Sequence, residues 1–155
     1  METNKELVEM LNDLVQINND RIEGYEKAIE DTGAAAAYKV TFEKMIVQST
    51  RYRDELITAV RKAGGDPEWD ATTNSGKIYR AWMDVKSAFT GHSDKSALEL
   101  CEFGEDAAQK AYQEALEDSS MMPAEIRSLI ISQQAGLKES HDLIKAARDM
   151  EKAKA

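Results

Sequence analysis

Apolar residues recur along this chain with a helical period, and Val, Ile and Thr nowhere alternate as they would in a strand. Leu7, Leu11, Leu14, Tyr25, Ala28 and Ile29 predict a first helix over about residues 4–31, its stripe broken midway by Asn18 and Arg21. Thr32-Gly33 stops it, because glycine is the usual residue past a helix end. Tyr38, Phe42, Met45, Ser49, Tyr52, Leu56, Val60 and Ala63 predict a second helix over about 35–63, ended by Gly64-Gly65-Asp66-Pro67. A long link follows, within which Ile78, Trp82, Val85 and Phe89 mark a short amphipathic helix over about 76–90. At about 100° per residue, Ala97, Leu98, Cys101, Glu105, Ala108, Tyr112, Ala115 and Leu116 share one face of a helix over about 95–118. The last helix, about 124–151, points Ile126, Ile130, Gln134, Leu137, His141 and Ile144 inward, with Pro123 near its first position and a solvated EKAKA tail.

Four long helices, short first and third connections and one long middle crossover predict an all-α, ferritin-like antiparallel four-helix bundle, with an extra short helix in the crossover. The length fits one domain over 1–155. A weak internal repeat supports two related helix pairs: YEKAIED from Tyr25 matches YQEALED from Tyr112, and the same offset sets Asn18 opposite Glu105. The polar breaks of the two stripes are therefore equivalent positions.

Composition narrows the function classes. Twenty basic and 29 acidic residues leave a net charge of −9, which repels nucleic-acid backbones and anionic membrane surfaces. The opening METNKELVEML has neither the basic start nor the apolar centre of a leader, and no apolar run is long enough to span a bilayer, so a cytoplasmic protein is expected. One cysteine excludes an internal disulfide and thiolate-rich metal sites. No phosphate-binding loop, nucleophile elbow or calcium loop occurs.

Glu105 is the residue on which function turns, since a carboxylate on an apolar stripe needs a metal, a cationic partner or a way out to water. A ferritin-like di-iron centre takes one Glu from each of two helices and a Glu-x-x-His pair from each of the other two. Asn18 stands where the repeat places the first-helix Glu. The second helix has Glu55 on its flank, Arg51 and Arg53 nearby, and no histidine, while His141 is preceded three residues earlier by Lys138. Glu23 and Glu26 point away from the face of Leu14. Levels counted from the turns put Asn18, Arg21, Ser49, Tyr52, Glu105 and Gln134 in one buried polar layer, with an Arg21–Glu105 pair at the metal position, and Cys101 with His141 in the next layer. The alternative is a single iron or manganese held by Glu105 and His141, helped by Glu102, Glu55 or Tyr52. Cys101 reads as a small buried apolar residue, His92 as a loop residue, and Trp69 and Trp82 as staples of the crossover or as a partner patch.

DRIEGYEKAIED, KIYRAWMDVKSAF, CEFGEDAAQKAYQEALED and KESHDLIKAARD together resemble a bacterial ferritin-like four-helix-bundle family, a domain of unknown function. The resemblance covers nearly the whole chain and implies the bundle; it brings no activity with it. The expectation is a non-catalytic structural or binding protein with a degenerate metal centre and no cofactor. Its competitor is an iron- or manganese-binding bundle with oxidoreductase or storage activity. A homo-oligomer and an unidentified protein partner are the candidate associations.

Overall fold

The structure, a computed structural model, describes residues 2–31, 36–68, 94–117 and 122–154. These residues form four α-helices and no strand: α1 (Glu2–Asp31), α2 (Ala36–Lys62), α3 (Asp94–Glu117) and α4 (Ala124–Lys154). α4 runs on through the tail expected to be solvated, as the helix-forming Ala and Lys of that stretch allow. The stop at Thr32-Gly33, the crossover helix, Trp69, Trp82 and His92 lie outside the described residues.

α1 packs chiefly on α2, and α3 chiefly on α4. Asn19 faces Arg53 across the first pair, and Asn12 faces Asp66, so the two helices run antiparallel. Across the second pair, Glu102 faces Arg148 and Gln109 faces Gln134, with the same result. The fold is an all-α, ferritin-like four-helix bundle.

α2 ends in a Schellman motif. Gly64 takes φ +84, its N–H donates to Arg61 O at 3.0 Å, and the Gly65 N–H reaches back to Val60 O at 3.0 Å. The chain leaving it is tied to α1: Asn12 Nδ2 donates to Asp66 O at 3.1 Å, and Glu68 N–H donates to Asn12 Oδ1 at 3.0 Å. These two bonds hold residues 66–68 against α1.

Two apolar clusters fill the bundle. One gathers Leu11, Leu14, Leu56, Val60, Tyr112, Leu116, Ile130 and Leu137; the other gathers Tyr25, Phe42, Met45, Leu98, Cys101 and Ile144. On every helix a polar residue separates the two sets: Arg21 on α1, Gln48 and Ser49 on α2, Glu105 on α3 and Ser140 on α4. That slab is the candidate site.

Candidate functional site

Arg21 is the centre of the slab and is completely buried. Its Nε donates to Glu105 Oε1 at 2.6 Å and its Nη2 to Glu105 Oε2 at 3.1 Å, the bidentate arrangement that a planar guanidinium makes with a carboxylate. Nη1 donates to Gln48 Oε1 at 2.9 Å and Ser49 Oγ at 2.7 Å, and Nη2 also meets Met45 Sδ at 3.3 Å. A guanidinium carries five N–H groups, and each has an acceptor here. Ser140 Oγ donates to Gln48 Oε1 at 2.8 Å, which ties α4 into the same network. Burial alone would push the Arg21 pKa down; the Glu105 carboxylate outweighs it and the pKa is raised.

Glu105 receives one more donor, the Tyr25 hydroxyl at 2.7 Å. Across the bundle Asn18 Nδ2 donates to the Tyr112 hydroxyl at 2.9 Å. The two contacts are images of one another under the internal repeat, which pairs Tyr25 with Tyr112 and Asn18 with Glu105. Each tyrosine reaches the polar break of the other stripe. From Tyr112 the chain of bonds continues to Gln133 Oε1 at 2.7 Å and through Gln133 Nε2 to Glu55 Oε1 at 3.1 Å, on the surface. Burial raises the pKa of both hydroxyls, that of Tyr25 all the more because the Glu105 carboxylate faces it.

A metal pair at this centre is a question of donors, and the donors present do not fit it. Glu105 is the buried carboxylate of the slab, and both its oxygens already serve a guanidinium, whose charge would repel a dication a few Å away. Asn18 Oδ1 is buried without a hydrogen-bond partner among the described atoms, a single neutral oxygen where hard dications take several, mostly charged.

Helical spacing alone predicts Gln134 and Tyr52 in this layer. Gln134 lies outside it, half-buried, with its side chain donating to Gln113 at 3.0 Å. Gln133 is the buried one. Tyr52 lies at the edge, its hydroxyl 3.4 Å from Gln48 Nε2 and packed on Gly136, where a methyl group would overlap it. The difference is a rotation of α4. The stripe Ile130, Leu137, Ile144 leaves i+3 and i+4 open between its members, and the close approach of Tyr52 to Gly136 turns Gln133 and Ser140 inward. Gly136 was the signal in the sequence that α2 comes closest there; Gln48, outside the apolar stripe, gave none.

The metal set proposed from sequence also divides. Glu105 stays with Arg21, and Glu55 is exposed beside Gln133. His141 and Glu102 do meet, joined by Asp106 rather than by Glu105, on the α3–α4 seam, where ligand atoms of the three lie within 4.8 Å of one another. His141 Nε2 is 2.7 Å from Asp106 Oδ1 and 3.8 Å from Glu102 Oε1, while Nδ1 is 3.2 Å from Asp142 Oδ1. Arg148 pairs with the other oxygen of Glu102. Cys101 belongs to the apolar cluster of Tyr25, Phe42 and Met45, and burial pushes its thiol pKa well up, the opposite of what a nucleophile needs.

Comparison with known proteins adds fold and family. A solved structure of a Dps1 mutant from Mycobacterium smegmatis superposes with a TM-score of 0.77 at 11% identity, covering 95% of this chain and 97% of that one. No curated protein matches the sequence. The family model described as a domain of unknown function, DUF2383, matches residues 6–118, most of the chain, and the protein belongs to that family.

Proposed function

We propose that this protein is a non-catalytic structural or binding bundle of the cytoplasm, in which a guanidinium occupies the position that a metal takes in ferritin-like centres. One observation carries the reading: Arg21 is fully buried with an acceptor for each of its N–H groups, and both oxygens of Glu105 are committed to it. A buried guanidinium with every N–H satisfied favours one packing over others. Iron or manganese at this centre, the competing reading, would require Glu105 to release Arg21, the buried cation that both its oxygens serve. The net charge of −9 argues against nucleic acid as partner. No described helix is long and apolar enough to cross a membrane, which accords with a cytoplasmic setting. Val40, Val47, Leu143 and Met150 are exposed on α2 and α4, and the Tyr38–Glu151 bond sets Val40 level with Met150. These apolar side chains support self-association.

The test is elemental analysis of protein purified without a metal-affinity tag, repeated after anaerobic ferrous iron and desalting. Iron and manganese are expected well below one equivalent per chain, in wild type and Glu105→Ala alike. Near-stoichiometric iron or manganese that disappears in Glu105→Ala would overturn the reading. Sedimentation of the same sample addresses self-association: an assembly that Leu143→Glu dissolves is expected, and a monomer at all concentrations rejects it.

A further inference from the structure

The α3–α4 seam carries a second constellation with a different chemistry from the bundle centre. Glu102 and Asp106 stand one helical turn apart on α3, so their carboxylates share a face. His141 of α4 enters between them. Its Nε2 lies 2.7 Å from one carboxylate oxygen and 3.8 Å from the other. A tetrahedral ion with arms of about 2.0–2.2 Å separates its ligand atoms by roughly 3.4 Å, a value these two distances bracket. Small side-chain rotations would admit the ion.

The surroundings orient each ligand. Asp142 Oδ1 lies 3.2 Å from His141 Nδ1, placed to accept that N–H once Nε2 gives its lone pair to an ion instead of its proton to Asp106. A carboxylate behind a ligating imidazole is the usual outer partner in such sites. Arg148 holds one oxygen of Glu102 and leaves the other toward His141. Glu102 and His141 are 14% and 19% exposed, and Asp106 is 60% exposed, so two ligands are held by packing while the third borders solvent. That leaves an entry path and room for water in the remaining position.

We propose that Glu102, Asp106 and His141 form a peripheral site for a borderline divalent transition metal of the zinc class. One imidazole with two carboxylates suits zinc, cobalt or nickel. On such a nitrogen–oxygen set, manganese and ferrous iron bind more weakly. The site is independent of the Arg21–Glu105 centre and survives if the reading of that centre fails.

Isothermal titration of the metal-free full chain with zinc chloride tests it, with cobalt absorbance reporting the coordination sphere. About one zinc per chain is expected, with a cobalt spectrum of four- or five-coordinate form. His141→Ala and Asp106→Asn should each weaken zinc at least ten-fold. Asp142→Asn should weaken it several-fold, as outer partners do. Glu114→Gln, a surface carboxylate elsewhere on α3, should leave it unchanged. All four substituted residues are exposed or half-buried, and equal melting of the metal-free variants verifies folding. Zinc binding that His141→Ala leaves intact, substoichiometric binding, or an equal loss in Glu114→Gln would overturn the site and leave the cluster as a set of surface ion pairs.

Discussion

Arg21 and Glu105 are each expensive to bury alone, and their pairing makes the consequence of changing either one unusually large. Glu105→Gln removes the charge while keeping the shape, so it leaves Arg21 without an anion in a layer that water does not reach. Breaking a buried pair from one side costs about 3–5 kcal/mol. Urea unfolding of Glu105→Gln should show a loss of that order, and adding Arg21→Met should recover a large part of it, since the uncompensated charge goes. Two single losses that merely add would mean that the residues do not depend on one another. Glu105 stands out in the sequence because one carboxylate interrupts an otherwise apolar stripe. Its partners are harder to read. Gln48 lies off the stripe of α2 and reaches the guanidinium through its length, which spacing does not report.

At the level of elements, helical periodicity carries the bundle: four stripes, two short connections and one long one determine which helices pair. What periodicity leaves open is how each helix turns about its own axis. On α4 a rotation of less than half a residue-step either way exchanges Gln133 for Gln134 and Ser140 for His141, and contact with α2 decides the matter. Gly136 is the residue that permits that contact. Gly136→Ala would drive a methyl group into the Tyr52 hydroxyl, in a place where the ring is buried and cannot swing aside. Overpacking of this kind costs about 1–3 kcal/mol. Gly64→Ala meets no neighbour within 4 Å, yet its φ of +84 is unfavourable for a side chain by roughly 1–2 kcal/mol. Thermal melts should rank both variants below wild type. Of the two, only Gly136→Ala should be relieved by Tyr52→Phe, which removes the hydroxyl it strikes. Relief of neither would place the strain of Gly136→Ala elsewhere.

For the molecule as a whole, the slab between two apolar clusters couples folding to protonation at the alkaline side. Tyr25, Tyr112 and Cys101 are buried around Glu105 or beside the slab, and burial raises the pKa of each above the ordinary 10.0 for tyrosine and 9.0 for cysteine. All three are neutral in both states below those ordinary values, where their contribution to stability is complete. As pH rises past them, the unfolded chain releases protons that the folded chain retains, so stability falls until the folded groups also ionise. Each group contributes a slope of about 1.4 kcal/mol per pH unit, and the three together about 4 once pH exceeds 10. The urea midpoint should therefore be level to about pH 8.5 and then drop steeply, with tyrosinate absorbance from two of the five tyrosines appearing together with unfolding rather than before it. Tyr25→Phe lowers the starting stability by removing a donor from Glu105, but it should also flatten the alkaline slope by about a third. A change in the starting value with an unchanged slope would show that Tyr25 titrates freely in the folded protein, and that the slab is open to solvent when the pH is high.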